Sequence, residues 1–136
     1  MSFTSNLYRC KIIFGDYTYN SVEHAYQASK TIIPSEREAI RNTKDPLEAK
    51  RLGGLVTLRD GWDTDGLKVH IMYKLLTIKF EDTTLRNKLI STGDRELVEL
   101  NDHNDTYWGV CNGKGNNMLG KLLMKVRADI RKNNYK

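Results

Sequence analysis

A chain of 136 residues, 39% hydrophobic and 29% charged, has the size and balance of one folded domain that can bury a core without a disulfide or metal to staple it. That balance argues against disorder, and no apolar run approaches the length of a membrane span. The net charge of +5 looks like a nucleic-acid footprint until it is located. Residues 1 to 120 carry 16 basic and 16 acidic side chains, whereas Lys121, Lys125, Arg127, Arg131, Lys132 and Lys136 face Asp129 alone in the last stretch. A solvated helix face running into a basic tail is favoured over a dedicated nucleic-acid-binding surface, since cations suit the C-terminal end of a helix.

Taken in chain order, Arg9 to Phe14 and Tyr17 to Tyr19 read as two short β runs joined by Gly15-Asp16, a two-residue hairpin loop. The pattern then turns helical. Asn20 is the expected cap of a first helix, with Glu23 in capping-box position. Ser35-x-x-Glu38 opens a second helix in the same way, and Asp45-Pro46-x-Glu48 a third that stops at Gly53-Gly54. Asp63 or Thr64 caps a longer helix to about Phe80, with Leu67, Ile71, Leu75 and Ile78 as its buried stripe. Thr84 to Ile90 adds a turn or two ending near Gly93, and Glu96 to Leu100 reads equally as strand or helix. Leu119, Leu122, Leu123, Val126 and Ile130 recur at three and four, which predicts a final helix packed along one face. The expected fold is therefore mostly α within the α+β class: a single domain over residues 1–136, several short helices and a small N-terminal β-hairpin.

Three stretches concentrate polar chemistry. In Ser21-Val-Glu-His-Ala-Tyr-Gln-Ala-Ser-Lys30, residues Glu23, Gln27 and Lys30 fall at i, i+4 and i+7 and share a helix face. The alternative is the wet side of an amphipathic helix, but Val22, Ala25, Tyr26 and Ala28 leave little of it hydrophilic, so this face can look into a pocket. His24 has no second histidine at metal spacing and reads as a hydrogen-bonded structural residue. The second stretch, His103-Asn-Asp-Thr-Tyr-Trp-Gly109, can set the Asp105 carboxylate against the edge of a planar group stacked on Tyr107 or Trp108. It can equally be a turn with an Asx-type hydrogen bond and a core tryptophan. Trp62, beside Asp60 and Asp63, poses the same choice.

The third stretch, Gly113-Lys-Gly-Asn-Asn-Met-Leu-Gly-Lys121, invites a phosphate reading. Gly115-x4-Gly120-Lys121 has P-loop spacing, yet Leu122 stands where a magnesium-binding hydroxyl belongs, so a nucleoside triphosphatase is rejected. Met118 occupies the third glycine of a dinucleotide fingerprint, which excludes that as well. What survives is an anion held by backbone amides at a helix N-terminus, with Asn116 in the loop. No cluster has metal-ligand spacing, so neither a metal nor a cofactor is expected. The start, Met1-Ser-Phe-Thr-Ser-Asn6, lacks a secretory signal, so a cytoplasmic location is expected, with Cys10 and Cys111 as thiols.

In order and spacing these segments resemble the NADAR family, also called YbiA-like. The resemblance spans nearly the whole chain. It is carried by Ser5-Asn6-Leu7-Tyr8, Ser21 to Lys30, Ala49-Lys50-Arg51-Leu52-Gly53, Arg59-x-x-Trp62, Lys79-Phe80 and Thr92-Gly-Asp94. It continues in Asn104-Asp-x-Tyr-Trp-Gly109, Gly115-Asn-x-x-Leu-Gly-x-Leu-Leu-Met124 and Arg127. Members of that family include N-glycosidases acting on riboflavin-pathway intermediates and on ADP-ribosylated guanine. The resemblance implies that Glu23, Trp62 and Asp105 occupy active-site positions and that Asn6, Lys30, Trp108 and Gly109 line the site. Tyr26, Tyr107 and Asn116 complete the candidate substrate-binding set. Val110-Cys111 after Trp-Gly, and Leu7 where the family usually has an aromatic, are departures that bear on the substrate more than on the chemistry.

The implied activity is hydrolysis of a ribose C1–N bond in a nucleotide-like substrate, free or as ADP-ribosylated guanine in nucleic acid. Phage-encoded members acting in a host cytoplasm are part of what the resemblance brings. Glu23 would stabilise the developing ribosyl cation or orient water. Asp105 would hold the ribose or assist the leaving nitrogen. Lys30 would fix a phosphate, form a Schiff base with ring-opened ribose, or simply pair with Glu23. Against this stand a module that binds ADP-ribose or modified nucleic acid without cleaving it, and an N-glycosidase specific for phosphorylated riboflavin-pathway intermediates.

Overall fold

The computed structural model describes residues 2–134, so Lys136 of the basic tail lies outside the described residues. The chain gathers into two compact units, Met1–Lys79 and Phe80–Lys136. In the first, β1 (Arg9–Phe14) and β2 (Tyr17–Ser21) form the antiparallel hairpin expected at Gly15-Asp16, with Ile12 opposite Tyr19 and Phe14 opposite Tyr17. Alternation along the strands turns Ile12 and Tyr19 inward and leaves Ile13 exposed.

Four helices follow in this unit: α1 (Val22–Ala28), α2 (Pro34–Arg41), α3 (Pro46–Gly53) and α4 (Leu67–Lys79). α1 is the hub. It packs against β2, α2, α3 and α4, and all seven of its residues are buried. A two-turn helix is unstable alone, so this burial is what holds it. Its cap is Ser21 rather than Asn20: β2 continues through Ser21, whose Oγ accepts the His24 amide at 3.1 Å, leaving Asn20 in the strand and Glu23 in the first turn, not in a capping box.

α2 starts one residue before the predicted Ser35, because Pro34 takes the first helical position that suits its fixed φ; Ile33 precedes it without a side-chain cap. α3 follows the expectation: Asp45 caps it by accepting the Leu47 amide at 2.9 Å, and Gly54 closes it. α4 begins only at Leu67, three residues past Thr64, and its buried face is Ile71, Met72, Leu75, Leu76 and Lys79 rather than the predicted stripe through Leu67 and Ile78. Lys79 tolerates burial because its Nζ donates to the Ser5 carbonyl at 2.9 Å and lies 5.5 Å over the Tyr8 ring.

The second unit contains α5 (Thr83–Ser91), capped by Asp82, and α6 (Met118–Asn134), which pack on each other. Leu85, Leu89, Leu119, Leu122, Leu123 and Val126 are buried. Glu96 to Leu100, undecided from sequence, is irregular chain with one isolated parallel bridge from Leu100 to Val110. Arg127 is buried and hydrogen-bonded, donating to Thr92 Oγ1 and to the Arg95 carbonyl, both at 2.8 Å. Among the described residues no helix is long and apolar enough to cross a membrane.

Candidate active site

The first turn of α1 is locked by its histidine. His24 Nε2 lies 2.9 Å from the Thr43 carbonyl, which can only accept, so the ring proton sits on Nε2 and Nδ1 accepts the Ser21 hydroxyl at 2.7 Å. Burial, chiefly, lowers the His24 pKa; the Thr43 carbonyl opposes that shift. Both ring nitrogens are spent on structure, as the sequence suggested, and Glu23 beside it is held in place.

Glu23 is buried, 7% exposed. Its amide donates to the Asn6 carbonyl at 3.0 Å, and its Oε1 accepts the Gln27 Nε2 proton at 3.2 Å. Asn6 reaches Met72 Sδ with its amide nitrogen at 3.6 Å, while its Oδ1 is buried without a hydrogen-bond partner among the described residues. One turn along α1, Tyr26 packs on Trp62 with ring centroids 5.2 Å apart and planes tilted by 52°. Trp62 is only 3% exposed, so it forms a wall of the core rather than an open platform.

Lys30 lies just beyond the end of α1, where its amide donates back to the Gln27 carbonyl at 3.2 Å. Its Nζ sits 5.6 Å over the Tyr26 ring. Burial lowers its pKa, against the charges of Glu23 and Asp63, while Lys50 and Lys68 push the same way as burial. The surrounding backbone is pinned. Arg59 donates its amide to the Lys30 carbonyl at 2.7 Å, Arg37 Nε donates to the Thr31 carbonyl at 2.6 Å, and the Thr31 hydroxyl donates to Glu36 at 2.5 Å. Sequence reasoning missed Arg37, Glu36 and the main-chain role of Arg59: the contacts of Arg37 and Glu36 with Thr31 depend on the conformation of the loop before α2, and nothing local marks the partner Arg59 finds in Lys30.

The first unit thus brings together Asn6, Glu23, Tyr26, Lys30 and Trp62: a buried carboxylate, an amine of lowered pKa and an aromatic pair. Such a site can favour positive charge developing beside Glu23. A separate concavity of about 480 Å³ in this unit is lined by Leu7, Tyr8, Arg9, Asp45, Pro46 and Leu47. Its charged groups are already committed, Asp45 to capping α3 and Arg9 to the Lys44 carbonyl, so the chemistry does not converge there.

The second unit holds Asp105, Tyr107, Trp108, Gly109 and Asn116. Asp105 Oδ1 accepts the amides of Tyr107 at 3.1 Å and Trp108 at 2.9 Å, the Asx-type turn that the sequence allowed as an alternative. Asn101 braces the turn, donating to the Asp105 carbonyl at 2.8 Å and accepting its amide at 3.0 Å. Tyr107 and Trp108 meet edge to face, centroids 5.0 Å apart. Gly109 is required because a Cβ there would overlap the Glu99 carbonyl and lie 2.7 Å from Asn101 Nδ2.

The glycine-rich loop does not keep its expected anion site. The first amides of α6, from Met118 and Leu119, donate to the carbonyls of Tyr107 and Trp108 at 3.0 and 2.9 Å, and Asn116 N–H donates to Thr106 at 2.8 Å. Asn117, which sequence reasoning passed over, is the organiser: buried and left-handed at φ 52°, it accepts the Glu99 amide and donates to the Leu97 carbonyl. The Asn116 side chain itself is exposed.

The sequence model for the NADAR domain matches residues 1–131, which takes in every site residue above. The chain belongs to the NADAR family. An N-glycosidase YbiA from Shigella boydii is 40% identical over 117 residues, covering 83% of this chain and 71% of that protein. A riboflavin biosynthesis protein of Vibrio vulnificus is 34% identical over 130 residues, 94% of this chain and 35% of its own length. The NMR structure of Escherichia coli YbiA superposes with a TM-score of 0.88 at 36% identity, over 98% of this chain and 80% of that one. The NADAR fold is therefore the mixed architecture found here, mostly helical with an N-terminal hairpin.

Proposed function

We propose that this NADAR chain is an N-glycosidase, hydrolysing the bond between ribose C1 and a nitrogen in a nucleotide-like substrate, with Glu23 as the central group. The observation that carries this reading is a buried carboxylate, Glu23, on the same short helix as Tyr26, one that ends just before Lys30, in a family that includes relatives named N-glycosidases. Loss of the nitrogen leaves positive charge on the ribose ring, and a carboxylate in a low-dielectric setting favours that charge more than it favours the neutral substrate. Water then adds to C1, its proton leaves with the nitrogen group, and the products are a free ribosyl hydroxyl and an N–H leaving group.

Lys30 supports two versions of this chemistry. As a cation it clamps a phosphate of the substrate. As a neutral amine, which burial favours, it adds to C1 of the ring-opened sugar, releases the nitrogen and is freed again when water hydrolyses the iminium. Asp105 shapes the Tyr107–Trp108 turn and presents its carboxylate to a ribose hydroxyl. The substrate class we favour is an ADP-ribosyl adduct such as ADP-ribosylated guanine, as free nucleotide or within nucleic acid in a cytoplasmic setting. A second class, a phosphorylated riboflavin-pathway intermediate, is favoured by the name of the Vibrio vulnificus relative, a riboflavin biosynthesis protein.

Mass spectrometry of products tests the proposal. Wild type and Glu23→Gln are incubated in parallel with ADP-ribosylated guanine nucleotide or DNA, with a phosphorylated ribosylamino-pyrimidine, and with NAD. Wild type is expected to release a free ribose-containing product from one of them, and Glu23→Gln to lose about 100- to 1,000-fold in kcat, the range for removing one preorganised charge-stabilising group. Tight binding of one substrate with no turnover by the wild type would instead mark a binding module.

A further inference from the structure

Gln27 lies one helical turn after Glu23 and donates its Nε2 proton to Glu23 Oε1 at 3.2 Å. A carboxylate only accepts, so the chemistry settles which way the amide faces: Nε2 toward Glu23 and Oε1 away from it. On that far side is Gly53, the last residue of α3. A Cβ at position 53 would sit 2.5 Å from Gln27 Cδ and 2.9 Å from Gln27 Cβ, and closer still to Oε1. α3 thus reaches the Gln27 amide only because residue 53 has no side chain.

Gln27 Oε1 is buried and has no hydrogen-bond partner among the described residues, in a side chain only 4% exposed. Leaving a buried amide oxygen unpaired costs free energy that an apolar residue of the same shape would not incur. The unpaired oxygen gives no reason for glutamine here; the proton that the amide donates to the buried Glu23 carboxylate does. A side chain held against a bare backbone on one face and a carboxylate on the other has little rotational freedom, so it orients that carboxylate.

We propose that Gln27, wedged by the missing side chain of Gly53, is the positioning residue that sets the orientation of Glu23. This rests on Glu23 being the reactive carboxylate, and the test separates the two ideas. Steady-state kcat and KM are measured with the substrate that wild type cleaves in the product assay, for Glu23→Gln, Gln27→Met, Gly53→Ala, Gln27→Ala and the pair Gln27→Ala/Gly53→Ala, with melting temperature recorded for each. Met keeps the length of Gln27 and removes its proton; we expect kcat to fall about tenfold or more with KM within about threefold, while the melting temperature, which sums relief of the unpaired Gln27 oxygen and loss of a donor to the buried Glu23 carboxylate, shows that the variant is folded.

Alanine at 53 favours the helix locally, so any loss in Gly53→Ala comes from displacing the amide. Its kcat should fall like that of Gln27→Met, yet the same change should cost little further in kcat once Gln27 is already Ala, because the displaced amide is gone and only the 2.9 Å approach of the two Cβ atoms remains, which the melting temperature reads. Losses that multiply in the double variant, or a Gln27→Met enzyme with wild-type kcat, would overturn the wedge while a dead Glu23→Gln left the catalytic carboxylate intact. Full activity in Glu23→Gln would remove the ground beneath both.

Discussion

At the scale of single residues, Lys30 and Asp105 each serve two masters. Lys30 has an amine whose pKa burial lowers and which lies over Tyr26; Arg59 clamps its carbonyl and Arg37 that of the next residue, Thr31. If it forms an iminium, borohydride added during turnover will attach a ribosyl mass to the wild type and none to Lys30→Met; equal labelling of both would rule the iminium out. Lys30→Arg keeps a cation for phosphate but cannot form an iminium, so on the iminium route kcat is expected to drop by about two orders of magnitude with KM nearly unchanged, whereas a phosphate clamp would leave kcat close to wild type. Asp105 holds two amides through one oxygen. Asparagine preserves that acceptor and removes the charge, so Asp105→Asn should keep its melting temperature and lose about tenfold in kcat/KM, the worth of one charge-assisted hydrogen bond to ribose. Asp105→Ala should lose that activity and about 1 kcal/mol of stability as well, because the turn comes undone.

At the scale of elements, the helix ends decide where side chains point. α1 is two turns long, and moving its start by one residue changes which groups face Gln27 and Asn6. Ser21→Ala removes the cap and the hydroxyl that satisfies His24 together, so a stability loss of about 1–2 kcal/mol in denaturant unfolding is expected, against less than about 0.5 kcal/mol for the exposed Asn20→Ala. Sequence pattern located this helix and its polar face but misjudged the cap, because Asn20 and Ser21 are both good caps and only the pairing of Ser21 with Arg9 keeps the strand going one residue longer. The buried face of α4 was misjudged for a related reason. Periodicity cannot foresee that Lys79 finds the Ser5 carbonyl and the Tyr8 ring, contacts more than seventy residues back along the chain.

For the whole molecule, acid stability should carry the signature of His24. Its folded pKa lies below the ordinary histidine value, so on acidification the unfolded chain takes up a proton that the folded chain resists. Stability is then fully present above about pH 6.5 and falls as pH drops below it, with a slope of at most about 1.4 kcal/mol per pH unit from one group. The measurement is unfolding free energy from pH 7.5 to 5.5 for wild type and His24→Gln. The wild-type slope should exceed the variant's in that window; parallel curves would show that His24 is not the group responsible. His70 and His103 are exposed, so the difference between the two proteins isolates the buried ring.

Sequence alone determined the class of fold, the hairpin at Gly15-Asp16, the number and order of the main helices, and the family, since these depend on local propensity, on the period of apolar residues and on ordered motifs. It also placed Glu23 and Gln27 on one side of one helix, because 3.6 residues per turn is a local property, but it carried that face on to Lys30, which lies past the end of α1. Tertiary structure decided what those residues meet. The use of the α6 amides by Tyr107 and Trp108, the organising role of Asn117, the Arg59 clamp on Lys30, and the fit of Gln27 against Gly53 all join parts of the chain well separated in sequence. Such contacts are settled by packing and by the need to satisfy buried polar groups, neither of which leaves a mark in local sequence pattern.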